Sequence, residues 1–161
     1  MIVTLYKKII SNYNINIVSL GNIDNKYGRS LKERYKTPSV KFSLPVYNKP
    51  VINTLRYFSE IYFHGHSVGG TNPSLLEAMG CGCRIAAHEN AFNKSVLGEE
   101  GEYFSTAEDV SKIITTKPEF IERNKKANLE KILTVYSPEN MVMAYEDLMK
   151  KSIISYPVSR H

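Results

Sequence analysis

The chain has 161 residues, 42% hydrophobic and 23% charged, and a net charge of +5, which is typical of one ordinary globular domain. No apolar run approaches the roughly 18 residues of a membrane span, and Lys7 and Lys8 interrupt the first segment where a secretory signal would be apolar. We therefore expect a cytoplasmic protein, with peripheral contact at the inner face of an anionic membrane as the remaining membrane role.

The charge is unevenly distributed along the chain. Residues 1–56 carry ten Lys or Arg against two Asp or Glu, whereas residues 57–161 carry eleven against fourteen. A basic half favours an anionic partner such as phosphate, acidic lipid headgroups or nucleic acid. The alternative is a solvated basic face without a partner.

Helical and strand patterns alternate along the sequence. Helices are predicted over residues 2–12, 28–36, 49–58, 73–80, 91–97, 107–115, 118–135 and 139–151, and the tail from 152 is expected to fray. Strands are predicted over residues 15–20, 40–46, 61–64, 83–87 and 102–104. In the helix over 49–58 we expect Val51, Leu55 and Phe58 to face inward.

This alternation predicts the fold class. Strands joined by helices favour an α/β fold with a Rossmann-like, doubly wound parallel sheet and helices on both faces. The sequence has no internal repeat, low-complexity segment or linker, so a single domain over residues 1–161 is expected.

The two cysteines, Cys81 and Cys83, are separated by Gly82 alone. That spacing is too tight for an ordinary disulfide, and two cysteines are too few for a zinc site. We interpret them as reduced, small residues at a helix end. No metal site is predicted, since His64 and His66 are not spaced like a zinc pair on a helix and lack a third ligand nearby.

The segment over residues 61–79 is the most informative in the chain. A short apolar strand leads into a glycine-rich turn, Asn72 is a good N-cap, and Pro73 occupies the first helical position, which accepts proline. A helix that begins in a glycine loop after a strand directs backbone N–H groups at one point, which attracts anions such as phosphate. The segment matches neither G-x-G-x-x-G nor a P-loop, and an ordinary strand–helix turn is the alternative.

The same segment resembles the donor-binding segment of retaining glycosyltransferases with the GT-B fold, family 4. That family's pattern is Glu, seven residues, Glu, then Ala or Gly and Met. Here Glu77 is the second Glu and Ala78-Met79 follow it, whereas Gly69 stands where the first Glu belongs. The longer run over 64–79, His-Gly-His-Ser-Val-Gly-Gly-Thr-Asn-Pro-Ser-Leu-Leu-Glu-Ala-Met, is similar to a bacterial rhamnosyltransferase-like subgroup of surface polysaccharide synthesis.

The resemblance implies a site for a nucleoside diphosphate sugar, linked to UDP, GDP or dTDP, with no cofactor. Glu77 would lie at the floor of the ligand crevice and accept hydrogen bonds from two ribose hydroxyls; otherwise it is a helix residue stabilised by the dipole. The remaining implied donor-binding residues surround the diphosphate or the base. They are Gly69, Gly70, Thr71, Asn72 and Ser74 for the diphosphate, and Val46 and Tyr47 for the base.

Several polar residues follow the predicted strands, at the edge where ligands bind in open α/β sheets. We interpret His64 as a packed strand-end residue and His66 as the candidate catalytic residue facing the donor sugar. His88, Glu89 and Asn93 can contact sugar hydroxyls, unless they form an ordinary polar loop. No protein nucleophile is implied, because the required work is electrostatic stabilisation of the leaving diphosphate.

In this order the elements resemble the C-terminal donor domain of a GT-B enzyme. The expected first strand of that domain and its N-terminal acceptor domain find no counterpart in the sequence, so we expect a fragment that binds the donor but does not transfer sugar alone. The intact enzyme would use a glycan or lipid-linked acceptor. The alternatives are a GT-B nucleotide-sugar epimerase and a non-enzymatic basic binding module, but nucleic acid is not the expected partner because aromatic residues are not interleaved with the basic charge.

Overall fold

The computed structural model describes residues 17–20 (backbone), 24–43, 46–68, 70–99, 101–116 and 118–155. In these ranges strands and helices alternate, and three consecutive helices follow the last strand. The elements in chain order are β1 (Ile17–Leu20), α1 (Lys26–Arg34), β2 (Val40–Ser43), α2 (Lys49–Tyr57), β3 (Tyr62–His64), α3 (Pro73–Gly80), β4 (Ile85–His88), α4 (Ala91–Leu97), β5 (Glu102–Phe104), α5 (Ala107–Ile114), α6 (Pro118–Thr134) and α7 (Pro138–Ser155).

All of the described strand pairs are parallel. β1 pairs with β2, and β4 lies between β3 and β5 in a three-stranded sheet. The register places His64 opposite Ala87 and His88 opposite Phe104. Because the strands are parallel, the carboxyl ends of β3, β4 and β5 lie along one edge, where the following loops meet.

Helices cover both faces of the three-stranded sheet. Ile85 and Ala87 point to one face and Ala86 to the other, since side chains alternate along a strand. The first face packs against α3 and α4, and the second against α5. The buried partners on the first face are Leu75, Ala78, Met79, Val96 and Leu97, and on the second Phe104, Val110 and Ile113.

Polar side chains cap the starts of several helices, including the predicted cap at Asn72. The side chains of Asn72, Asn90 and Thr106 cap α3, α4 and α5, and Thr106 forms a capping box with Asp109. Gly98, with φ of +72°, ends α4 in a backbone conformation that favours glycine.

About half of the predicted boundaries coincide with the observed ones, and most of the others differ by one to three residues. β4 includes His88, which the sequence analysis placed after the strand, and α7 continues to Ser155, four residues beyond its predicted end. β2 ends at Ser43, so Val46 lies outside any strand. The helix predicted over 2–12, the start of the strand predicted from 15, and residues 156–161 of the tail lie outside the described residues.

The predicted inward face of α2 was wrong. Val51, Leu55 and Phe58 are 45%, 41% and 79% exposed, whereas Arg56 is only 8% exposed. The apolar spacing suggested a core-facing stripe, but the helix instead buries Arg56, which pairs with Glu77 of α3. Tertiary contacts can override a local apolar pattern in this way.

A buried ion pair joins the last two strands. Arg84, just before β4, donates to both carboxylate oxygens of Glu102 on β5, at 2.6 Å each, and also to the carbonyl of Ile113 on α5. Both side chains are 4% exposed. With these three hydrogen bonds, the guanidinium connects β5 and α5 to the start of the central strand β4.

We expect only one of the two cysteines to react in the folded protein. Cys83 is buried and its Sγ donates to the carbonyl of Ala78 at 3.1 Å, and burial, reinforced by Cys81, raises its pKa to about 11. Cys81 is partly exposed. Alkylation by iodoacetamide at pH 8, read by intact mass, should modify one thiol rapidly and the second only after unfolding.

Mass measured without reductant should also show both thiol protons in place, and metal analysis should find no stoichiometric zinc. A loss of two protons, bound zinc, or equal alkylation rates for both thiols would contradict this assignment.

Candidate functional site

The loop before α3 presents unpaired backbone donors at the carboxyl end of β3. In the part of the chain that the structure describes, the backbone N–H groups of Gly70, Thr71 and Asn72 have no hydrogen-bond acceptor. Gly70 and Thr71 are exposed, and a Cβ at Gly70 would meet nothing within 4 Å. The positive end of the α3 dipole adds to these donors. This open, donor-rich turn suits an anion.

Ser74 does not share this freedom. Its backbone N–H and its hydroxyl both donate to Oδ1 of Asn72, at 2.9 and 2.7 Å. Pro73 has no N–H, and the next two amides, of Leu75 and Leu76, donate to the Asn72 carbonyl. The donors are therefore in the turn at residues 70–72, and Ser74 serves the cap rather than the open surface.

Glu77 extends from the second turn of α3 and forms an ion pair with Arg56. Nη1 of Arg56 donates to Oε2 of Glu77 at 2.8 Å, and the Glu77 side chain is 45% exposed. Oε1 accepts no hydrogen bond from the described residues. Glu77 thus lies on an open surface, not at the floor of a deep crevice as expected, and keeps one carboxylate oxygen available.

Arg56 is the residue that sequence reasoning missed. Three contacts hold its guanidinium: Glu77, Oδ1 of Asn53 at 3.3 Å, and the ring of Tyr62, whose centroid lies 5.8 Å from Cζ. A lone Arg among the apolar residues of α2 was the only signal in the sequence, and it does not identify a partner 21 residues away.

The two histidines that flank Gly65 stack on each other. Their ring centroids are 4.7 Å apart with an interplanar angle of 24°. His64 is packed at the strand end, as predicted, with 1% exposure, and neither of its ring nitrogens has a hydrogen-bond partner. His66 is exposed, and its carbonyl accepts hydrogen bonds from Asn90 and Asn93. Two hydrogen bonds therefore hold the backbone of His66 in the loop after β3, while the residue is exposed to solvent.

Acid should destabilise the protein through His64. Burial, reinforced by His66, lowers the pKa of His64 from 6.5 to about 4. The unfolded chain binds a proton near pH 6.5 and the folded chain only near pH 4, so stability is lost as pH falls through this window. Between pH 7 and pH 5 we expect a loss of about 2 kcal/mol from this residue.

Urea unfolding of wild type and of His64→Phe, each at pH 7 and pH 5, isolates this contribution. Carboxylates such as Asp109, whose pKa is lowered chiefly by a hydrogen bond from the Ser105 backbone, affect both proteins equally. An identical pH dependence in the two proteins would show that the buried imidazole is not responsible.

The residues after β4 differ in their freedom to contact a ligand. The Asn93 amide is 4% exposed and donates to the carbonyls of His66 and His88, so it fastens the loop after β3 to the end of β4. Glu89 is exposed and paired with Lys94 at 2.7 Å; this hydrogen bond lowers its pKa. His88 is partly exposed, but its Nδ1 is buried without a partner. Of the three predicted sugar contacts, Glu89 is the most accessible.

In the described part of the chain, no hydrogen bond or ring contact joins the predicted base-binding residues, Val46 and Tyr47, to the rest of the site. Tyr47 is 88% exposed and Val46 is partly exposed, just before α2. No described contact joins Tyr47 to the turn at 70–72. Gly69 lies outside the described residues.

The site is an open surface, not an enclosed cavity. Two open cavities of the described surface, of about 320 and 350 Å³, lie elsewhere, beside α1 and β2 and beside β5 and α5. Within the described ranges, no three His, Cys, Asp or Glu side chains are grouped to hold a metal ion. Likewise, no helix there is both long and apolar enough to cross a membrane.

The site offers partners for both an anion and a hydroxyl-bearing group. The turn at 70–72 offers neutral N–H donors, and Glu77, in the helix that follows, offers a carboxylate oxygen with no partner among the described residues. These are complementary to a phosphate and to sugar hydroxyls, respectively.

Comparison with known proteins supports the fold. No protein-family model matches the chain, and no curated protein matches it in sequence. Among solved structures, the chain is similar to a chain in the crystal structure of the GtfA/B complex, with a TM-score of 0.66 and 15% sequence identity. The match covers 93% of this chain and 32% of that chain, so this chain spans about a third of the length of its structural neighbour.

At this identity the likeness establishes the fold alone. The chain has a Rossmann-like α/β fold, consistent with one half of a GT-B fold. The predicted fold class is therefore confirmed. Membership of family 4 and of the rhamnosyltransferase-like subgroup stays a prediction.

Proposed function

We propose that this chain is the nucleotide-sugar-binding part of a retaining, metal-independent glycosyltransferase that transfers a hexosyl or rhamnosyl group in polysaccharide biosynthesis. The glycosyltransferase-like fold supports the reaction class. The observation that carries the proposal is the turn at 70–72. Its three N–H donors have no acceptor among the described residues, and it precedes a capped helix that presents the half-exposed Glu77.

The proposed ligand is a nucleoside diphosphate sugar linked to UDP, GDP or dTDP. Its diphosphate would lie against the N–H groups of residues 70–72 and the positive end of α3. Oε1 of Glu77 would accept a hydrogen bond from a ribose hydroxyl. His66 and Glu89, exposed residues after β3 and β4 respectively, would contact the sugar.

In this proposal the chain accelerates transfer through electrostatics. As the bond from the sugar carbon to the diphosphate breaks, negative charge develops on the leaving oxygen. Fixed N–H dipoles and the α3 dipole stabilise that charge without reorganising. The acceptor, a glycan or lipid-linked glycan, would be held by another domain of the intact enzyme.

A thermal-shift panel tests the proposal. UDP, GDP, dTDP and their sugars are compared with the matching nucleosides and with pyrophosphate. We expect one diphosphate series to raise the unfolding temperature more than its nucleoside or pyrophosphate does. The nucleoside diphosphate makes both the phosphate and the ribose contacts, so it binds the folded chain more tightly and stabilises it more. No shift from any diphosphate, together with no heat of binding in calorimetry, would overturn the proposal.

A further inference from the structure

Arg56 is bound more tightly than an ordinary surface cation. It is 8% exposed, although its partner Glu77 is 45% exposed. Its guanidinium contacts Glu77, Asn53 and the face of Tyr62 at the start of β3. These contacts come from three elements or their neighbours, so the position of the guanidinium is set by the fold and not by Glu77 alone.

The asymmetry of burial argues against a purely stabilising ion pair. A pair whose carboxylate is half exposed contributes little to stability because water screens it. Removing a guanidinium from water is costly, and an apolar side chain of similar size would fill the same space at less cost. Arg84 and Glu102 provide the contrast, since both are buried and the guanidinium binds both carboxylate oxygens.

The contact with Glu77 uses only one of its two oxygens. Nη1 of Arg56 approaches Oε2, and Oε1 has no partner among the described residues. A guanidinium clamped by Asn53 and Tyr62 can therefore hold the carboxylate in one rotation, with Oε1 directed away from the ion pair. Without this contact the Glu77 side chain would sample several rotamers, and fixing one of them on ligand binding would cost entropy.

We propose that Arg56 is the positioning residue for Glu77. It fixes the carboxylate so that Oε1 is presented to a hydroxyl of the nucleotide ribose, and it thereby sets the preference for nucleotides that carry that hydroxyl. This inference rests on the function proposed above. Arg56 acts through Glu77 and does not itself touch the ligand.

The test measures hydroxyl preference rather than affinity alone. Each of UDP, GDP and dTDP is titrated calorimetrically beside its 2′,3′-dideoxy analogue, and the ratio of the two affinities is the readout. Wild type should prefer the hydroxylated ligand by roughly ten- to a hundredfold, the loss expected for one charge-assisted hydrogen bond. Glu77→Gln should reduce this ratio to about two or less.

Arg56→Met keeps a long side chain against Tyr62 but removes the ion pair. We expect it to lower the ratio almost as far as Glu77→Gln does, with the dideoxy affinity nearly unchanged. The double variant should show no further loss, because both substitutions remove one interaction. Arg56→Lys should restore part of the ratio, since a point charge reaches the carboxylate without the planar geometry of Arg.

The outcomes separate this inference from the proposed function. If wild type binds no nucleoside diphosphate, the function fails and the inference fails with it. If Glu77→Gln loses the ratio and Arg56→Met keeps it, only the positioning role is overturned. An equal loss for both ligands in Arg56→Met would make Arg56 merely structural. Should Arg56→Met not fold, Arg56→Gln, which keeps a polar group at that position, carries the same measurement.

Discussion

Replacing Arg84 by Met is expected to lower the free energy of unfolding by about 3–5 kcal/mol. The substitution leaves the Glu102 carboxylate, 4% exposed, without the two hydrogen bonds that compensate its burial. It also removes the bond to the Ile113 carbonyl, so β5 and α5 lose their shared anchor. Urea-induced unfolding followed by circular dichroism measures the change.

The exposed ion pair between Arg29 and Asp24 provides the matched control. Its N–O distance is 2.9 Å, but its side chains are 63% and 86% exposed. Arg29→Met should therefore change the free energy of unfolding by no more than about 0.5 kcal/mol. Equal effects of the two substitutions would refute the assignment of Arg84 as a buried structural charge. Replacing Arg84 and Glu102 together by apolar residues should recover part of the loss.

Glu77→Gln is expected to weaken binding of the nucleoside diphosphate by roughly ten- to a hundredfold, while leaving the fold intact. The substitution keeps the size of the side chain and removes its charge. Because Gln keeps an oxygen that can accept a hydrogen bond from Arg56, and because the position is 45% exposed, the free energy of unfolding should change by only about 1 kcal/mol. Ser74→Ala should have a smaller effect on affinity, because both Ser74 donors already bind Asn72.

Glu119→Gln controls for helix-dipole effects. Glu119 is an exposed carboxylate in the first turn of α6. If Glu77 only stabilises α3 electrostatically, the two variants should behave alike, with small changes in stability and no change in affinity. Calorimetric titration of both variants distinguishes these readings, and equal affinities in wild type and Glu77→Gln would leave Glu77 a structural residue.

The elements with strong local chemistry could be predicted from the sequence. Asn72-Pro73 fixes the start of α3, because an Asx cap and a proline at the first helical position favour the same boundary. Gly98 ends α4 for an equally local reason, its positive φ. The short apolar strands and the crossover helices then leave a parallel sheet as the consistent arrangement, and the structural comparison confirms it.

The contacts that decide the site could not be predicted in this way. The face that α2 buries carries Arg56, whose partner Glu77 lies 21 residues along the chain, whereas the apolar spacing of Val51, Leu55 and Phe58 predicted a different face. The role of Asn93 likewise depends on the carbonyls of His66 and His88, which meet only in the folded sheet. Ser74 was predicted to bind the diphosphate, but its backbone N–H and its hydroxyl both donate to the side chain of Asn72, the predicted helix cap.

The proposed function depends on binding of a nucleoside diphosphate at the turn before α3. A titration followed by two-dimensional NMR of the ¹⁵N-labelled chain tests it most directly, since each backbone amide reports on its own surroundings. We expect UDP, GDP or dTDP to shift the amide signals of Gly70, Thr71 and Asn72 most strongly. Glu77→Gln should require higher ligand concentrations for the same shifts. Saturable shifts confined to another surface, such as the basic cavity beside Lys32 and Lys36, or no shifts at all, would contradict it.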